Sequence, residues 1–122
     1  DAGVPFLMVS HNVIDDYDKG VPASLSKKLH NYIRKDMGYD GIILCDGLGM
    51  SGVRDYVGGD KGEVAVRAVM AGNDMLCATD VGVQLRAIVK AVKDGRIKLS
   101  QIEDSVTRIL MTKINYGLIE KE

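Results

Sequence analysis

Tryptophan is absent from this chain, phenylalanine occurs once and tyrosine five times. A surface that reads single-stranded nucleic acid needs aromatic platforms for the bases and positive charge for the phosphates. The charge is missing too: 16 Lys and Arg stand against 17 Asp and Glu, a formal charge of −1, with the signs interspersed. No nucleic acid partner is expected, and without a basic block an acidic lipid surface is equally unsupported. No apolar stretch approaches the roughly 20 residues a helix needs to cross a bilayer, so no membrane span is expected. Asp1-Ala2-Gly3 puts no basic residue ahead of the first apolar run, unlike a secretory signal, and the compartment stays unassigned. Two cysteines make no disulfide framework, and neither CxxC nor Cys/His spacing points to zinc. Cys45 and Cys77 each sit in an apolar run, where a thiol behaves as a small hydrophobe and where the two could be neighbours on adjacent strands. No metal and no cofactor is expected.

What is present is a repeating pattern. The apolar runs Val4 to Ser10, Gly41 to Cys45 and Asp74 to Ala78 recur at roughly thirty-residue intervals, and none alternates polar with apolar residues. Near-continuous hydrophobicity of this length suits strands covered on both faces, as in a parallel sheet wrapped by helices. Between the runs lie helical segments with their own punctuation. Ser26 is a cap for a helix to Met37, with Leu29, Ile33 and Met37 on one face and Gly38 as the stop. Asp60 and Glu63 form a capping pair for a helix ending at Gly72. Thr79 or Asp80 opens a third helix that stops at Gly95, and Ser100 with Glu103 reads as a capping box for a fourth, reaching Gly117. Lys27-Lys28, Arg34-Lys35 and Glu120-Lys121-Glu122 read as solvated faces and a frayed end, and His30 as a surface residue.

The order strand, helix, strand, helix, strand, helix, helix means β/α units and a parallel sheet. At 122 residues the chain is at most one domain. Three strands fall short of a complete doubly wound domain or barrel, so residues 1–122 read as a single partial domain.

Asp46 ends the second run and is followed at once by Gly47-Leu48-Gly49-Met50-Ser51-Gly52. A lone carboxylate at the mouth of a buried strand is where parallel α/β folds carry their chemistry. The glycines satisfy G-x-G-x-x-G, the dinucleotide fingerprint, whose mechanism needs a helix opening inside the motif. Gly58, Gly59 and Gly62 follow and make a helix costly there, so Gly47 to Gly62 reads as a loop over the strand ends. Asp74 also comes too late, and on the wrong end of its strand, to be the ribose-binding acid. A dinucleotide-binding α/β domain using the Gly47-Gly49-Gly52 loop is kept as the alternative.

From about Gly3 to Ile119 the chain resembles glycoside hydrolase family 3, in its bacterial β-N-acetylglucosaminidase branch. The matching pieces come in order: Met8-Val9-Ser10-His11, Pro22-Ala23-Ser24-Leu25-Ser26, Met37-Gly38-Tyr39-Asp40-Gly41-Ile42-Ile43, Cys45-Asp46-Gly47-Leu48-Gly49-Met50 and Ala71-Gly72-Asn73-Asp74-Met75-Leu76. The resemblance implies an α/β fold made of the C-terminal three β/α units of a (β/α)8 TIM-type barrel plus a C-terminal helix. It implies that Asp46 is the catalytic nucleophile of a retaining glycosidase, with His11 and Met50 as substrate-binding neighbours and Asp74 structural. Cys45-Asp46-Gly47 stands where the family often has Ser-Asp-Asp, so a second carboxylate is absent. The branch's His-Asp acid/base loop and its sugar-holding Lys-His and Arg motifs do not occur in these residues. The implied partners are therefore a carbohydrate substrate and the missing N-terminal part of the same barrel. An isolated fragment of this kind should be inactive and should self-associate to cover its open faces.

Overall fold

The computed structural model describes residues 3–120, so Asp1, Ala2, Lys121 and Glu122, with most of the terminal acidic and basic run, lie outside the described residues. Strands β1 (Phe6–Val9), β2 (Ile42–Cys45) and β3 (Met75–Leu76) form one parallel sheet in the order β1-β2-β3. Phe6 pairs with Ile42, Val9 with Cys45, and Cys45 with Leu76. Each strand is shorter than its apolar run. For β3 the cause is Asp74: its carboxylate Oδ2 accepts the Ile43 N–H at 2.8 Å, where a ladder carbonyl would otherwise stand. Beyond the strand, Cys77 N–H still reaches Cys45 O, 3.1 Å away, so the two cysteines are neighbours as expected, and both are free thiols.

The helices follow most of the predicted caps. Ser26 Oγ accepts the Leu29 N–H (3.1 Å) and opens α2 (Lys27–Asn31). Asp60 Oδ1 accepts from both Gly62 and Glu63 N–H (2.8 and 2.9 Å) and opens α4 (Lys61–Ala71). Asp80 Oδ1 takes the Val83 N–H (3.3 Å) at the start of α5 (Val81–Lys93).

Four expectations are corrected. The helix from Ser26 does not run evenly to Met37: a π-helical turn, Tyr32–Asp36, follows α2. The wider turn keeps Ile33 inside and leaves Met37 exposed, and it swings Arg34 inward to donate to the carbonyls of Tyr39 (2.9 Å) and Gly41 (2.6 Å). Arg34 is therefore no solvated charge, and burial draws its pKa down. Helix α6 (Leu99–Asn115) starts two residues early, with Lys98 rather than Ser100 as the capping position and no side-chain cap, so Ser100 forms no capping box. The start of α6 is docked on both sides of its cap: Ile97 is buried beside Val66, Val69 and Ala91, and the Gln101 amide donates to the Val69 carbonyl. His30 is buried, packed against Gly72, where an added Cβ would come within 3.1 Å of the histidine Cβ. Finally, Gly47–Gly62 is not all loop. It contains α3 (Ser51–Tyr56), held down by Val53, which is fully buried. The sequence pattern also did not separate a short helix α1 (Asp15–Asp18) or a 3-10 turn at Ala23–Leu25.

The sheet is covered fully on one side and only in part on the other. Leu7, Val9, Ile43, Cys45 and Leu76 turn toward the helices and join their buried residues, such as Leu25, Ile33, Val64 and Ala68. Phe6, Met8 and Met75, with Leu44 between them by register, point the other way, and the first three are 48%, 56% and 38% exposed. Ile42 shares that second face but is covered, because the end of α6 passes beneath it and brings Ile109 and Tyr116 up to Phe6, Ile42 and Met75. Asp74 fastens α6 there. Its Oδ1 accepts from Ser105 Oγ (2.8 Å) and Arg108 Nη1 (3.0 Å), and its Oδ2 also pairs with Arg34. The role expected for Asp74, structural and at the amino end of its strand, is the one it has. Among the described residues no helix is long and apolar enough to cross a membrane.

Candidate active site at the carboxyl ends of the strands

Asp46 directly follows β2, and its N–H donates to Val9 O (3.1 Å), which prolongs the ladder one step past the strand. Two residues on, Leu48 N–H donates to Cys77 O (3.1 Å). The chain leaving β2 is thus tied to the carboxyl ends of both neighbouring strands. Leu48 adds a side-chain anchor, buried against Cys45, Val53 and Val64, which is worth roughly 1.5–3 kcal/mol. Sequence reading passed over Leu48 because a single leucine between glycines carries no periodicity.

The Asp46 side chain is half-buried. Its Oδ1 accepts the Gly47 N–H at 2.7 Å, and among the described residues this is the hydrogen bond made to the carboxylate, with Oδ2 left free. The carboxylate is neither sealed in the core nor saturated by backbone amides. One oxygen is held and the other is available.

His11 and Met50, the other two predicted site residues, converge on Gly47. His11 Nε2 lies 2.9 Å from Gly47 O and Nδ1 lies 2.7 Å from Ser24 Oγ. A carbonyl can only accept, so Nε2 carries the proton, and in the neutral ring Nδ1 then accepts from the Ser24 hydroxyl. Both ring nitrogens are therefore taken by the protein. Met50 N–H donates to the same carbonyl (3.1 Å), and its side chain, 53% exposed, lies over Gly47 with Cγ 3.8 Å from where a Cβ would stand. It is not folded back onto the core. Cys45, immediately before Asp46, has its thiol pushed up to about 12 by burial, which removes it as a competing nucleophile.

Two further residues at this rim were not singled out from sequence. Ser24 is fully buried and would have been found only by knowing that Pro22–Ser26 crosses beside His11. Gln84, also buried, accepts through Oε1 from the N–H groups of Thr79 (3.1 Å) and Asp80 (3.3 Å), and so shapes the turn from β3 into α5. Thr79 in turn sits against Gly49, where a Cβ would come within 2.8 Å of its Cγ2. Gly49 is small because a neighbouring loop occupies the space. That accounts for one fingerprint glycine without a phosphate. Among the described residues the sheet order β1-β2-β3 shows no reversal of direction.

Residues 1–112 match the glycosyl hydrolase family 3 N terminal domain. The chain belongs to glycosyl hydrolase family 3. It is 28% identical over 133 aligned positions to the beta-N-acetylglucosaminidase/beta-glucosidase of Cellulomonas fimi, with 96% of this chain and 22% of that protein covered. It is 30% identical to beta-hexosaminidase LpqI of Mycobacterium tuberculosis, with 88% of this chain and 29% of that one covered. Among solved structures, a family 3 beta-N-acetylglucosaminidase from Paenibacillus sp. str. FPU-7 superposes with a TM-score of 0.88 at 32% identity, over 98% of this chain and 24% of that one. The chain thus spans less than a third of the length of each of these family 3 proteins. These likenesses bear out the family and the α/β fold with three parallel strands. They lend nothing to the dinucleotide alternative.

Proposed function

We propose that this chain is the nucleophile-bearing, C-terminal part of a family 3 catalytic barrel, from a retaining enzyme that releases terminal β-linked N-acetylglucosamine or a related β-hexose. The observation that carries the proposal is Asp46: a half-buried carboxylate at the carboxyl end of the central strand, with one oxygen held by Gly47 N–H and the other free. The names of the relatives supply the substrate class.

In this reading Asp46 attacks the anomeric carbon as the glycosidic C–O bond breaks, and the leaving oxygen takes a proton from a general acid. Water then attacks the same carbon, a base removes its proton, and the Asp46 carboxylate is released with net retention. The acid/base group belongs to the part of the barrel that precedes these residues, as do the groups that grip the sugar. Met50 borders the sugar from the loop, and His11 lies beside it.

The open sheet face supports the same reading. Phe6, Met8 and Met75 form half of an apolar interior, and the edges of β1 and β3 have no partner strand among the described residues. In the complete barrel the preceding β/α units cover that face and close both edges.

The test is Asp46→Asn in the full-length enzyme that contains these residues, assayed on a nitrophenyl N-acetylglucosaminide. Turnover should fall by at least about 10³-fold, since the covalent step has no substitute nucleophile. Activity near the parent level would remove the proposal. A fluoro-sugar inactivator should in parallel label Asp46 in the parent enzyme, detected by peptide mass.

A further inference from the structure

We infer that Ser24 and His11 are positioning residues that hold the nucleophile loop through the backbone of Gly47, an inference that rests on the role proposed above for Asp46. The connection is continuous. The Ser24 hydroxyl donates to His11 Nδ1 (2.7 Å), His11 Nε2–H donates to Gly47 O (2.9 Å), and Gly47 N–H donates to Asp46 Oδ1 (2.7 Å). Gly47 is held at its carbonyl by His11 and donates its N–H to Asp46, through the two successive peptide units joined at its Cα, so fixing the carbonyl restricts the rotation at Gly47 that would carry the N–H, and with it the Asp46 carboxylate, out of place.

Ser24 is a firm base for this chain. It is fully buried, its N–H donates to Ser10 O at the end of β1 (3.0 Å), and its carbonyl accepts from Asn73 Nδ2 just before β3 (2.8 Å). The serine thus refers the loop to both outer strands, while Asp46 N–H refers it to β1 and Leu48 N–H to the chain leaving β3. Because both His11 nitrogens are committed, its polar atoms serve the loop and have none to spare for a sugar hydroxyl. What His11 offers substrate is only the ring itself. A nucleophile displaced by about an ångström can cost on the order of 100-fold in rate, which is the loss such a clamp prevents.

The experiment measures kcat and KM for four variants of the full-length enzyme: His11→Ala, His11→Gln, Ser24→Ala and the Ser24→Ala/His11→Ala pair. Glutamine places an amide N–H near the position of Nε2, so it keeps the donor to Gly47 O. Positioning predicts that His11→Ala lowers kcat by about 10- to 100-fold with KM changed less than about threefold. His11→Gln should recover most of that loss, and the double variant should be no worse than His11→Ala alone, because both residues act through one chain of bonds. Direct sugar binding by His11 predicts instead a raised KM, no rescue by glutamine and an independent, small effect of Ser24→Ala, and this result overturns the inference. Nitrogen-15 NMR of labelled histidine in wild type and Ser24→Ala supplies a readout that needs no activity. The wild-type ring should be the Nε2–H tautomer in the neutral state, and an Nδ1–H tautomer overturns the clamp. If these variants all match wild type while Asp46→Asn is inactive, the clamp fails and the nucleophile reading stands. If Asp46→Asn is active, both fall.

Discussion

At the scale of single residues, two aspartates with similar local sequence signals have opposite surroundings. Asp46 follows its strand and keeps one oxygen free; Asp74 precedes its strand and spends both oxygens on Ile43 N–H, Ser105, Arg34 and Arg108. The Asp74 side chain is 1% exposed, so its charge is tolerated only because two guanidiniums and two other donors surround it. Replacing it leaves Arg34, whose side chain is 19% exposed, without its counter-charge. Asp74→Ala should therefore destabilise the fold by about 3–5 kcal/mol, seen as a large drop in urea midpoint. A change below about 1 kcal/mol would mean that the network is dispensable. The contrast leaves one carboxylate with a free oxygen and commits the other to holding α6.

At the scale of elements, the segment after α5 is joined to α4 by the packing of Ile97 and by an ion pair from Glu63. Glu63 was expected to close a capping pair with Asp60. Its N–H does take the Asp60 cap, but its carboxylate turns outward to Arg96 (2.8 and 2.9 Å) and Arg67 (2.9 Å). The hydrogen bond from Arg96, then that from Arg67, holds the Glu63 pKa below the ordinary glutamate range. A carboxylate whose folded pKa is depressed contributes stability above its unfolded pKa and loses it as pH falls through the folded one. The unfolding midpoint of wild type should thus fall more steeply on acidification than that of Glu63→Gln, with the two curves converging once Glu63 is protonated. Parallel curves across that range would show the bridge to be inert. The effect should be small, because the groups are largely exposed and salt screens them.

At the scale of the whole molecule, the sheet is half finished. Helices cover one face, and the other shows Phe6, Met8 and Met75 to solvent. Exposed apolar side chains continue along α6 at Val106, Leu110 and Met111. Contiguous apolar surface of this kind is sequestered by partners when its natural cover is absent. The 122-residue chain alone should therefore self-associate, and it should not hydrolyse a nitrophenyl N-acetylglucosaminide, since it holds the proposed nucleophile without the proposed acid. Light scattering that reports a clean monomer at working concentration would contradict the first expectation; retained hydrolysis would contradict the second.

Much was legible in order of residues alone. Unbroken apolar runs mark parallel strands with apolar residues on both faces, although only the helix-facing side of this sheet is fully buried, and Ser26, Asp60 and Asp80 mark helix starts because a short polar side chain can reach N–H groups two or three residues ahead. The placing of Asp46 after β2 and Asp74 before β3 follows from the same local logic. The π turn, the short α3, the burial of His30 and the Ser24–His11–Gly47 connection were not legible. Each depends on groups brought together from 13 to 36 positions apart, or on a packing neighbour such as Gly72 or Val53, and no local pattern records such meetings. Local chemistry determined which segments became strands and helices and where a carboxylate would emerge. Only the tertiary fold decided that the second oxygen stays free: the first is held by the next residue's N–H, and among the described residues no donor from the neighbouring strands reaches the other.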